Sequence, residues 1–157
     1  MSKYELKLEF LCEVVGYVTV IRIGSSSWGI RVIYPVVEGG YFKGPNFNGK
    51  ILPFGADWAL IRPDKAFELD VRIILETADG ALIHTYYNGV NNLTKEQYDA
   101  FLAGKPAKDL KIFVTPRFET SHDKYQWLTR IQAVGLGSAE REGDRVKVSY
   151  SWYVLTA

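Results

Sequence analysis

The feature that most restricts how this chain can fold is its punctuation. Turn-forming residues recur at short intervals: Gly16, Gly24 to Ser27, Gly39-Gly40, Gly44-Pro45, Asn48-Gly49, Pro63-Asp64, Asp79-Gly80 and Glu142-Gly143. Between them lie β-branched and aromatic residues, which fit a pleated, half-buried surface. Short strands separated by regular turn signals indicate an all-β sandwich or barrel, here with about nine or ten strands. Closing that many strands into one antiparallel barrel removes their unpaired edges. The expectation is therefore a single closed or nearly closed β-barrel domain spanning residues 1–157. A domain of this length buries roughly 70% of the surface of its unfolded chain, enough for a core without covalent staples. No Pro-rich linker, low-complexity tract or internal repeat interrupts it.

The clearest hairpin runs from Phe67 to Gly89. Phe67, Leu69, Val71, Ile73 and Leu75 alternate with Glu68, Asp70, Arg72, Ile74 and Glu76, a period-two strand. Asp79-Gly80 reads as a two-residue turn. Paired about that turn, Arg72 lies opposite Tyr87 and Asp70 opposite Gly89. Asp70, Arg72, Thr85 and Tyr87 then share one face, with open space beside Gly89. A one-residue slip would dissolve this grouping, because it sends every side chain to the other face. His84 falls on the face opposite Arg72. Val146, Val148, Tyr150, Trp152 and Val154 alternate in the same way near the end of the chain.

One short helix is expected. Thr94 with Gln97 three residues on forms a capping box. Tyr98, Phe101 and Leu102 supply an apolar face, and Gly104 with Pro106 marks the stop. In an otherwise β chain, such a helix covers an open end or edge of the barrel.

Charge excludes several functions. Nineteen basic residues against 18 acidic give a net charge of +1, with no basic stripe, so nucleic acid is not an expected partner. No apolar run reaches the ~18 residues of a membrane helix, and the N-terminal residues lack a signal-peptide core. The expected location is the cytoplasm. Cys12 is the single cysteine and reads as a small buried hydrophobe. His84 and His122 are the only histidines and show no metal-ligand spacing, so neither metal nor cofactor is expected. His122 lies in a polar turn and reads as a surface residue. Gly24-Ser25-Ser26-Ser27 lacks the Gly-Lys-Ser/Thr ending of a phosphate-binding loop, and there is no nucleophile elbow or dinucleotide fingerprint.

What remains is a set of charged residues within apolar strands. Asp57 stands in Gly55-Ala56-Asp57-Trp58-Ala59, Asp70 and Arg72 in the alternating strand, and Glu119 in Phe118-Glu119-Thr120. Burying a charge is costly unless it is paired, and groups so placed have shifted pKa values suited to acid or base roles. They can equally face solvent or form structural ion pairs. A phenol at Tyr87 beside Arg72 can donate a hydrogen bond or a proton.

Several motifs occur in order: Gly39-Gly40-Tyr41-Phe42-Lys43-Gly44-Pro45, Gly55-Ala56-Asp57-Trp58, Leu69-Asp70-Val71-Arg72, Thr77-Ala78-Asp79-Gly80-Ala81-Leu82-Ile83, and Pro116-Arg117-Phe118-Glu119-Thr120 followed by Tyr125-Gln126-Trp127-Leu128. Together they resemble the domain-of-unknown-function 3237 family, also called uncharacterised protein family 0311. The resemblance covers nearly the whole chain and implies a small lipocalin-like barrel without a general assigned activity. The family's pattern positions map onto Asp57, Trp58, Asp70, Arg72, Tyr87, Gly89, Glu119, Tyr125 and Trp127. Tyr86 and Thr129 depart from the pattern.

Two functions fit these residues. In the first, the barrel is a cofactor-independent isomerase, lyase, hydratase or cyclase. Asp57, Asp70 or Glu119 would move a proton, Arg72 and Tyr87 would polarise a carbonyl or enolate, and Trp58, Tyr125 and Trp127 would contact a small aromatic or carbonyl-containing metabolite. In the second, the barrel is a carrier, with Arg72 anchoring a ligand carboxylate. Edge strands and Gly-rich loops are also compatible with a homo-oligomer.

Overall fold

In the strand Ala66–Thr77, Phe67, Leu69, Val71, Ile73 and Leu75 are all buried, and Glu68, Asp70, Arg72, Ile74 and Glu76 face outward or lie half-buried. The same alternation, repeated around the sheet, builds the interior of a barrel. The computed structural model describes residues 2–157. Its strands are β1 (Lys7–Val18), β2 (Ile21–Ser26), β3 (Gly29–Lys43), β4 (Asn48–Ile61), β5 (Ala66–Thr77), β6 (Leu82–Asn92), β7 (Ile112–Glu119), β8 (Ala133–Glu142) and β9 (Arg145–Thr156). A helix, α1 (Lys95–Leu102), follows β6, and a 3-10 helix (Asp123–Arg130) follows β7.

All strand pairs are antiparallel, in the order β1-β9-β8-β7-β6-β5-β4-β3-β2, and β1 also pairs with β3. That last pairing closes the ring. The second half of β3 bonds to β1, through pairs such as Val18 with Val36 and Val14 with Phe42. Its first half bonds instead to β2, through pairs such as Arg22 with Val32. The strand β2 is thus an extra edge strand on an otherwise closed barrel.

The β5–β6 hairpin pairs differently from the expectation. Thr77 donates its N–H to the Ala81 carbonyl at 2.9 Å, and the Thr77 hydroxyl accepts the Ala81 N–H at 2.8 Å. The loop therefore holds Ala78, Asp79 and Gly80, with Gly80 at φ 90°, a three-residue hairpin with glycine in the left-handed position. One extra loop residue moves the register by one. Arg72 lies opposite Tyr86, Asp70 opposite Asn88, Val71 opposite Tyr87, and Leu69 opposite Gly89. Gly89 borders no open space: a β-carbon there would collide with the Phe113 carbonyl of β7.

The helix forms as its caps require. The Thr94 hydroxyl accepts the Gln97 N–H at 3.1 Å, and the Gln97 side chain accepts the Thr94 N–H at 2.9 Å. At the other end Arg22 of β2 donates to the carbonyls of Phe101 and Leu102 at 2.6 and 3.0 Å. It satisfies two terminal acceptors and places a cation at the negative end of the helix. Phe101 packs on Phe67 of β5, with ring centroids 5.4 Å apart, so α1 covers one end of the barrel.

The interior divides along its length. One half is solid: Trp152, Phe118, Phe42, Phe47 and Leu128 fill it. Gly135 admits the Trp152 ring, because a β-carbon there would overlap it. The other half, under α1, is open.

Candidate active site

Cross-strand register assembles the site. Tyr34 of β3 pairs with Asp57 of β4, Asp57 with Val71 of β5, and Val71 with Tyr87 of β6. One transverse row thus carries a phenol, a carboxyl group, an apolar spacer and a second phenol, all directed inward. A third phenol, Tyr150 of β9, reaches the same place from across the barrel. Its ring lies over Gly137 of β8, where a β-carbon would strike it. The rings of Tyr87 and Tyr150 meet edge-on at 5.9 Å.

These groups line a cavity of about 400 Å³, within the range of small-molecule sites. Its walls are apolar, with Val14, Val32, Val36, Leu69 and Ile73 among them. The mouth lies beneath α1 and the segment that follows it, and Arg22, Lys105, Glu140 and Arg141 line it.

Asp57 is held between two strands. The β4–β5 ladder is paired at Asp57–Val71 and again at Leu60–Glu68, with no pairs between. In that gap a carboxylate oxygen of Asp57 accepts the Asp70 N–H at 3.0 Å. Loss of water raises its pKa from the ordinary 3.8 to about 7, against the opposing effect of the Asp70 N–H. The Asp70 charge adds to the rise, and Arg31 reduces it. Both protonation states are therefore accessible near neutral pH. The three phenols go the other way in function. Burial, reinforced by the Asp57 charge, holds Tyr34, Tyr87 and Tyr150 above the usual tyrosine range. They stay protonated and available as donors. Arg22 and Arg141 partly offset the rise at Tyr34.

A family model described as "Protein of unknown function (DUF3237)" matches residues 6–155. The chain belongs to the DUF3237 family. A UPF0311 protein of Rhodopseudomonas palustris (strain TIE-1) is 39% identical over 131 residues, which cover 82% of this chain and 84% of that protein. The crystal structure of a conserved protein of unknown function from Rhodopseudomonas palustris superposes with a TM-score of 0.81 at 32% identity, covering 98% of this chain and 100% of that one. A more distant neighbour shares the fold, with a TM-score of 0.68 at 21% identity over 99% of this chain and 98% of that one: a structure described as an enzyme from Penicillium herquei.

Of the DUF3237 pattern positions, the structure brings Asp57 and Tyr87 together in the cavity. The others lie elsewhere. Asp70 and Arg72 alternate with the buried Leu69, Val71 and Ile73 and face outward. The altered register puts Tyr87 on the inner face opposite Val71 and leaves Arg72 stacked on Tyr86 at 4.7 Å. Glu119 is exposed and bonds His84 at 3.1 Å. Trp58 is 52% exposed on the outer face, so it does not wall the cavity. Trp127 packs edge-on against Phe47 in the solid half of the barrel. Tyr125 is buried, and its hydroxyl donates to Asp79 at 2.7 Å, fastening the 3-10 helix to the β5–β6 loop. Lys124 and Thr77 also bond Asp79 and, with Tyr125, hold its carboxyl below the usual carboxylate range.

Sequence reasoning did not single out Tyr34, Tyr150, Arg22 or Arg141. Tyr150 carried a signal, its place in the alternating run from Val146 to Val154. Cys12 is buried and its thiol is pushed up to about 12, chiefly by burial, which leaves it a packing residue. Among the described residues no three of His, Cys, Asp and Glu gather as metal ligands, and no helix is long and apolar enough to cross a membrane.

Proposed function

We propose that this barrel is a cofactor-independent acid/base enzyme acting on a small carbonyl-containing or aromatic metabolite, with Asp57 as the proton-transfer group. One observation carries the reading: a carboxyl group with a pKa of about 7 faces an apolar cavity beside three protonated phenols. Apolar surroundings that bring a carboxyl pKa near the working pH make it an effective base and then an effective acid. In the proposed step the Asp57 carboxylate takes a proton from carbon next to a carbonyl. The C–H electron pair forms a carbon–carbon double bond, and the carbonyl π pair moves to oxygen. A phenol of Tyr34 or Tyr87 donates a hydrogen bond to that oxygen, stabilising its developing charge. The neutral Asp57 then returns the proton either to a different carbon as the carbonyl re-forms, which completes an isomerisation, or to a leaving group as its bond to the β-carbon breaks and the carbonyl re-forms, which completes an elimination. Neither changes the overall oxidation state. The enzyme description of the fungal neighbour agrees with this reading at the level of the shared fold.

A general substrate for a carboxylate base in an apolar pocket tests the step directly. 5-Nitrobenzisoxazole loses its carbon-bound proton to a base as its N–O bond breaks, giving a cyanophenolate. The protein is expected to accelerate this elimination well beyond acetate, with a rate that rises through a midpoint near pH 7. Asp57→Asn is expected to abolish the acceleration, whereas Glu119→Gln leaves it unchanged. Binding of the substrate with no acceleration in the wild-type protein would favour the carrier function. Full activity in Asp57→Asn would remove Asp57 from the mechanism.

A further inference from the structure

The mouth of the cavity differs in charge from its interior. Besides Asp57, Glu140 is the only acidic residue lining the cavity among the described residues, and it lies opposite Lys147 on β9. Three cations line the same rim: Arg22, Lys105 and Arg141. None of the three takes part in a salt bridge among the described residues. Arg22 is fixed by the carbonyls at the end of α1. These carbonyls carry only the partial negative charge of the helix end, and no carboxylate pairs with the guanidinium among the described residues. Arg141 donates only its Nε to the Gly143 carbonyl at 3.1 Å, which leaves the terminal nitrogens of the guanidinium to other acceptors.

Register explains how the two arginines reach one place. Arg22 lies opposite Val32 and so shares the inward face of β3 with Tyr34. Arg141 lies opposite Val146, which pairs with Val18, which pairs with Val36 of the same strand. The two approach the Tyr34 side of the mouth from opposite directions, and both charges act on its phenol.

We infer that Arg22, Arg141 and Lys105 form an anion-recognition subsite at the mouth, so that the substrate is an apolar, ring-sized metabolite bearing one acidic group at the end remote from Asp57. The inference rests on the proton-transfer reading of the same cavity and adds the substrate's polarity. Guanidinium groups recognise carboxylate and phosphate oxygens through paired donors. The Asp57 carboxylate repels an anion placed beside it, so the acidic group of a ligand belongs at the mouth and the reacting carbon inside. A cationic rim also draws anionic ligands from solution.

A matched set of naphthalenes tests this by binding alone. N-Phenyl-1-naphthylamine reports occupancy of the cavity by its fluorescence. It is displaced in turn by 1-naphthol, 1-naphthoate and 1-naphthyl phosphate, which share one ring system and differ in charge. At low salt, 1-naphthoate or 1-naphthyl phosphate is expected to bind about tenfold or more tightly than 1-naphthol, the scale of one charge-assisted contact. Which of the two binds better identifies the acidic group as carboxylate or phosphoryl. Arg141→Gln and Lys105→Gln are expected to reduce that preference severalfold each while the neutral compounds bind as before. Arg22→Gln is followed together with thermal melting, because it also releases the end of α1. An equal affinity for charged and neutral compounds, or a preference untouched in Arg141→Gln and Lys105→Gln, would overturn the subsite and leave the proton-transfer reading standing. Failure of every compound to enter the cavity would overturn both.

Discussion

Replacing Asp57 with Asn keeps the size of the side chain and an oxygen able to accept the Asp70 N–H, but removes the ionisable group. In the unfolded chain Asp57 ionises near pH 4, and in the folded protein near 7. Between those values the unfolded state loses its proton first. The contribution of this group to stability is therefore fully present at low pH and declines as pH rises toward 7, the reverse of a salt-bridged aspartate. A shift of about three pH units at 1.36 kcal/mol each sets an upper limit of about 4 kcal/mol. The cavity opens to solvent at its mouth, which reduces the figure to about 2–3 kcal/mol. Asparagine feels none of this. Urea unfolding of both proteins at pH 4.5 and pH 8 measures the difference of differences. The asparagine variant is expected to gain about 2–3 kcal/mol on the wild type between the two conditions, because the unfolded-state carboxyl is already largely ionised at pH 4.5. A change near zero, or a loss, would show that Asp57 is well solvated or paired and would refute the reasoning.

Gly137→Ala is expected to cost about 2–3 kcal/mol by denaturant unfolding, because the new β-carbon overlaps the Tyr150 ring and the Ser149 carbonyl. Tyr125→Phe should lose about 1–2 kcal/mol, the worth of one hydrogen bond to a carboxylate, without altering ligand binding. Arg72→Ala removes only an exposed contact with Tyr86, so unfolding should show a change below about 1 kcal/mol and ligand affinity should not move.

The barrel was legible because it depends on features that are local in the sequence. The turn residues, the period-two run from Phe67 to Leu75 and the Thr94–Gln97 capping box each report on a few neighbouring positions. The site was only partly legible, since register joins distant residues. A single loop residue, Ala78, separates a hairpin that puts Tyr87 on the same face as Arg72 from the observed one, in which Tyr87 pairs with the buried Val71 and Arg72 meets Tyr86 outside. Asp57 could be suspected from its apolar neighbours alone. Its partners could not: Tyr34 is brought beside it by the β3–β4 register, and Tyr150 by closure of the barrel. Tyr125 and Trp127 look like ligand-binding aromatics in the sequence. They serve the other end of the barrel, where a 3-10 helix needs an anchor and a packing partner.

The claim on which the rest depends is that Asp57 changes its charge near neutral pH inside the cavity. The carboxyl carbon of Asp57, assigned by comparison with Asp57→Asn and followed by ¹³C NMR from pH 3 to 9, reports that charge directly. The expected midpoint is about 7. A midpoint below about 5, within the usual spread for solvated aspartates, would contradict it and leave the cavity a binding site without a base.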